Sequence, residues 1–122
     1  MTLHVLTARI SYGGPDRLDV TRAGADPVGV VFAPSWPLLM MAKTMARRGP
    51  DAAEAGWTEY VPEYAAEMRA SYRQHRAVWD ALLGRERVVL CCYCVNPARC
   101  HRRLLAGMLV ECGAADEGEV AP

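Results

Sequence analysis

Residues 87–112 constrain the chain most. An apolar run, Val88-Val89-Leu90-Cys91-Cys92-Tyr93-Cys94, meets a turn at Asn96-Pro97 and then an apolar stripe at helical spacing that closes at Gly113. A strand that is apolar at both alternating sets of positions needs cover on both faces, and parallel strands joined through helices supply it. The segment therefore reads as strand, turn and helix over about 87–94 and 100–112, a unit of an α/β domain. At 122 residues the chain has room for one such domain.

Upstream, residues 3–12 are apolar and β-branched and stop at Gly13-Gly14-Pro15, which gives a first strand. Residues 16–26 read as a polar connection and Val28-Gly29-Val30-Val31-Phe32 as a second buried strand. Ser35 is placed to cap a short helix with Pro37 in its first turn, ending before Gly49-Pro50. Residues 51–56 read as a loop, and Pro62 as the opening of a helix to about Leu83. Tyr64, Met68, Tyr72, His75, Trp79 and Leu82 form its buried stripe, with Arg69, Arg73 and Arg76 on a solvated ridge beside it. The expectation is a single α/β domain over 1–113, with a mainly parallel sheet of three or four strands, helices on both faces and an acidic tail over 114–122.

Lys+Arg 14 against Asp+Glu 14 gives a net charge of zero, so the chain lacks the long-range field of a dedicated nucleic-acid binder. The longest apolar stretch, 28–42, is broken by Pro34 and Pro37 and falls short of the roughly 20 residues of a bilayer span. Residues 1–12 lack the basic and apolar regions of a signal peptide, and a cytoplasmic protein with no membrane partner is expected. The five cysteines are an odd number, and four crowd into ten residues, a layout that suits reduced, working thiols better than a disulfide scaffold.

Strand alternation puts Cys92 and Cys94 on one face and Cys91 on the other. Cys100 and His101 stand one turn before Leu104 and Leu105, on the side of the helix that turns inward with Met108, Leu109 and Cys112. Ligands of open parallel sheets bind at such strand-to-helix junctions, and a helix start favours a thiolate. One reading is a cysteine-dependent enzyme with Cys100 as nucleophile, Cys92 as its redox or resolving partner, His101 as acid/base and Arg102 as a clamp for an anion. In that reading loss of Arg102 leaves the fold intact, and the substrate is a small anionic or nucleotide-like molecule. A second reading is a non-catalytic module in which Cys92, Cys94, Cys100 and His101 hold zinc or iron. The divergence of adjacent helical residues by about 100° works against joint ligation by Cys100 and His101. A nucleic-acid-associated accessory role is a third. Cys91 and Cys112 read as small core residues, His75 as a core histidine, and Asp19 with Arg22 as a turn ion pair.

The run 88–94 followed by Cys100-His101-Arg102-Arg103-Leu104-Leu105-Ala106 resembles the bacterial and phage proteins of the domain of unknown function 488 family (DUF488). Ala33-Pro34-Ser35 and residues 57–83 look like that family's Ala-Pro-Ser segment and Tyr-rich helix. Asp19-Val20-Thr21-Arg22 keeps its Asp-Val-Arg motif loosely, and the family's Gly-Ser turn is missing from the N-terminal third. The resemblance implies a site at Cys92, Cys100, His101 and Arg102 and implies no particular reaction.

Overall fold

The computed structural model describes residues 2–94 and 97–120. Among them are strands β1 (His4–Arg9), β2 (Arg17–Asp19), β3 (Arg87–Cys92) and β4 (Ala115–Glu119). The helices are α1 (Trp36–Arg47), α2 (Pro50–Gln74), α3 (Arg76–Leu83) and α4 (His101–Glu111). The sheet runs β2-β3-β1-β4 with every neighbouring pair parallel. This is the expected small α/β domain. Asn96 of the expected turn lies outside the described residues, and Pro97–Arg99 form a 3-10 turn before α4.

Cover of the two faces is unequal. Leu38, Tyr64, Trp79 and Leu105, one from each helix, join the core on the face of Val5, Val88 and Leu90. The opposite face, around Ala8, Val89 and Cys91, is packed by Leu6, Ile10, Tyr12 and Val120, none of them helical. Strand order explains this correction to helices on both faces. The helical crossovers β2→β3 and β3→β4 step across the sheet in one direction, so right-handedness places both on one side. The connection β1→β2 steps backwards, and residues 10–16 are too few for a helix.

Several boundaries move. The second strand is β2, within the stretch read as a connection, where Leu18 and Val20 are buried between polar neighbours. Gly29–Phe32 is instead a 3-10 helix, because Asp26 Oδ1 accepts hydrogen bonds from Val28 N at 2.9 Å and Gly29 N at 2.8 Å and starts a turn. Gly29 also packs against the Asp19 carbonyl oxygen, which a Cβ would strike. Helix α1 begins as expected, with Ser35 Oγ accepting from Leu38 N at 3.3 Å.

Residues 51–56 belong to α2, which Pro50 opens, and Pro62 sits inside it. The long helix breaks at His75, whose φ of −124° and ψ of 39° leave the helical region. His75 is exposed, so it is not the expected core histidine. The break lets Trp79 Nε1 donate to Ser71 Oγ at 3.1 Å while Ser71 Oγ donates to Val31 O at 2.7 Å. Tyr64 OH donates to Phe32 O at 2.7 Å, tying α2 to the 3-10 turn. Arg76 pairs with Asp80 on the exposed face, consistent with the solvated ridge. Among the described residues no helix is long and apolar enough to cross a membrane.

The stretch read as a loose tail is the edge strand β4, paired to β1. Its register shifts between Val5 and Leu6, and Gly118 has φ of 90° there. Residues three apart on a regular strand face opposite sides. The bulge cancels that alternation, so Asp116 and Glu119 both reach α4.

Candidate functional site

Cys92 ends β3, Cys100 is the residue before α4, and Cys94 lies between them. Their three sulfurs all lie within 4.8 Å of one another. The Cys92 and Cys100 sulfurs touch, yet their Cα atoms are 7.9 Å apart, beyond the roughly 4.4–6.8 Å that disulfides span. The backbone thus presents converging sulfurs and not a bridged pair. Cys92 and Cys100 are buried and Cys94 is half-buried, where burial pushes its thiol up against the opposing pull of Arg102.

Arg102 organises the cluster. It is 0% exposed, the largest fully buried side chain among the described residues. Nη1 donates to Cys92 Sγ at 3.1 Å, Cys100 Sγ at 3.3 Å and Cys94 O at 2.8 Å. Nε and Nη2 donate to Glu119 Oε1 and Oε2 at 3.0 and 2.7 Å. A guanidinium so enclosed has no donor for a substrate, so Arg102 is not placed as the expected anion clamp. It holds sulfurs. Donation from a cation stabilises an anionic acceptor, so the arrangement favours thiolates.

Glu119 and Thr7 form the outer support, which sequence reasoning missed. Thr7 Oγ1 donates to Glu119 Oε1 at 2.6 Å and accepts from Arg103 Nη1 at 3.1 Å. Arg103 also pairs with Asp116, whose carboxyl that contact holds below its usual range. Burial pushes the Glu119 carboxyl up, but its bonds from Arg102 and Thr7 prevail and hold it low. A parallel neighbour on β1 and two arginines in succession on α4 were the available signals; reading 114–122 as a tail hid them.

His101 is buried, but its Nε2 bonds to Val20 O at 2.9 Å, which makes that nitrogen the donor. Burial lowers its pKa to about 4, so the ring is neutral near pH 7. No histidine joins the three sulfurs among the described residues, so the four-residue ligand set is not assembled. Cys91 lies in the opposite apolar cluster, as expected. Cys112 is exposed rather than part of the core stripe. Asp19 and Arg22 do not pair: Asp19 Oδ1 accepts from Thr21 N, and Arg22 donates to the Ala33 and Pro34 carbonyls.

A cleft of about 290 Å³ opens over the cluster. Cys92, Cys94 and His101 line it together with Arg22, Lys43 and Arg99, and among the described residues no carboxylate does. Trp36, Trp57 and Tyr60 supply aromatic wall, and Trp57 stacks on Tyr60 at 5.4 Å. Arg99 is paired with Glu54. Burial, with Cys94 and Glu67 nearby, pushes the Tyr60 hydroxyl up, so it stays a neutral phenol.

Fold and site together define a parallel α/β domain with a three-sulfur, one-guanidinium centre at a strand-to-helix junction. The chain belongs to the DUF488 family: the model of DUF488-N3a, described as the active DUF488-N3 subclade, matches residues 3–113. No curated protein and no solved structure matches it.

Proposed function

We propose that this protein is a thiol-dependent enzyme acting on a small, anionic, ring-containing molecule of nucleotide-like character. The observation that carries the reading is Arg102, a fully buried cation that donates to two cysteine sulfurs, one of which, Cys92, lines the cleft. Burying a guanidinium is costly unless it is fully paired, and a core that needed only packing has cheaper solutions. Cys92 faces the cleft and is the nucleophile in this reading, with Cys100 as its partner behind it. His101, neutral and hydrogen-bonded, shapes the floor and is available to exchange a proton through its other nitrogen. Lys43 takes over the anion-binding role assigned to Arg102 from the sequence, and Trp36 and Trp57 offer flat surfaces to a ring. The family's description as an active subclade agrees with an enzyme.

The test is alkylation of native protein by iodoacetamide in the presence of chelator, read by peptide mass spectrometry, with nucleoside monophosphates as protecting ligands. Cys92 should react in the folded state and be slowed by at least one of those ligands. Reaction at Cys92 only after denaturation removes the enzyme reading.

A further inference from the structure

We propose that the Cys92, Cys94 and Cys100 sulfurs together hold one thiophilic divalent cation of the zinc class, with a fourth coordination position open to the cleft. This rests on the reading that the sulfur cluster is the reactive centre, and it names what that centre contains. A zinc–sulfur bond of about 2.3 Å in a tetrahedron sets sulfurs about 3.8 Å apart. Three sulfurs mutually within 4.8 Å reach that spacing once side-chain rotation parts the touching Cys92 and Cys100 sulfurs.

Direction matters as much as distance. Arg102 reaches Cys92 and Cys100 from the buried side, held there by Glu119. Cys92 and Cys94 also line the cleft, so the remaining direction points into it. His101 Nε2 is committed to Val20 O, and no histidine or carboxylate completes the set among the described residues. Three protein ligands and an open place mark the catalytic kind of zinc site, whereas structural sites close with four. Three thiolates and a divalent cation sum to one negative charge, and the guanidinium that Glu119 holds presents its other edge to that charge. Arg102 thus plays the outer-shell part that orients ligands and supports metal affinity.

Cobalt(II) reports such a centre directly. Protein purified without metal-affinity resin and stripped by chelator is titrated with cobalt, then with zinc. One equivalent of cobalt per chain should give sulfur-to-metal charge-transfer absorption and intense tetrahedral visible bands, both abolished by one equivalent of zinc. Cys94→Ser changes a half-buried residue outside β3, so its fold is checked by circular dichroism. It should weaken cobalt binding at least as much as the roughly 10–100-fold loss typical of outer-shell changes. Cys112→Ser should leave the bands intact, and added azide should shift them by entering the open position.

Folded wild type without charge-transfer absorption, or undiminished absorption in Cys94→Ser, overturns the metal centre. Bands insensitive to azide overturn the open position. Ligand-protected alkylation of Cys92 in protein that binds no cobalt leaves the thiol enzyme standing and the metal refuted. Cobalt bands without such protected alkylation support the metal and remove the enzyme.

Discussion

Glu119 grips one edge of the Arg102 guanidinium with both carboxylate oxygens, 3.0 Å to Nε and 2.7 Å to Nη2. The other edge faces sulfur. A residue of the acidic C-terminal stretch therefore fixes the orientation of the only side chain in contact with both Cys92 and Cys100 by hydrogen bonds among the described residues. Arg102→Ala takes the guanidinium partner from the Glu119 carboxylate and opens a cavity. It should lower unfolding free energy by about 3–5 kcal/mol in urea titration. Arg102→Lys should not restore it, since an ammonium cannot span two carboxylate oxygens and two sulfurs at once. Wild-type stability in Arg102→Ala would refute the structural role.

Gly118 is tested through its backbone. Its φ of 90° is a conformation that side chains resist, and the bulge there aims Glu119 at α4. Gly118→Ala should cost about 1–3 kcal/mol, measured by chemical denaturation. Combined with Glu119→Gln, the loss should be less than the sum of the two, because both changes undo one contact. Full additivity would mean that the bulge does not orient Glu119.

His101 gives a pH signature. Its folded pKa is lowered to about 4, below the ordinary imidazole value of about 6.5, chiefly by burial. The unfolded state therefore binds the proton first as pH falls. The His101 contribution is fully present above about pH 6.5 and is lost progressively down to about 4, amounting to about 3 kcal/mol. His101→Asn, which retains a donor for Val20 O, should flatten stability between pH 6.5 and 4. Asp116 and Glu119, with carboxyls held low, contribute above the ordinary carboxylate range and lose their share at more acidic pH. An unchanged slope in His101→Asn would show that the imidazole is not desolvated.

Lys43 tests the cleft. The residue is exposed, so Lys43→Ala should stay within about 0.5 kcal/mol of wild-type stability. Its affinity for a nucleoside monophosphate, measured by calorimetry, should fall several-fold and lose part of its salt dependence. Equal affinity and equal salt dependence would remove Lys43 from anion recognition.

The α/β class and the gathering of Cys92, Cys94 and Cys100 were legible because they depend on two local periods, strand alternation over 88–94 and helical spacing after Cys100. Boundaries set by tertiary context were not. Leu18 and Val20 alternate with polar residues, a strand signal too short to stand out until β3 supplies a neighbour. The run Val28 to Phe32 has strand composition, yet Asp26 and the close approach of Gly29 to Asp19 make it turn. Arg102 was legible as a site residue and misread as a clamp, because its partner arrives from a strand with almost no apolar signal. Charge made 114–122 look like tail, whereas Asp116 and Glu119 are acidic because two arginines on α4 need them.

Thr7 and Glu119 hydrogen-bond across 112 positions of sequence. A ribosome makes β1 long before it makes either strand that flanks β1 in the sheet. Until residues 115–119 have left the exit tunnel, a nascent chain has no carboxylate for Arg102 and leaves one side of β1 unpaired. A translation product stopped after α4 would lack the carboxylate that fixes the Arg102 guanidinium and the outer partner of β1.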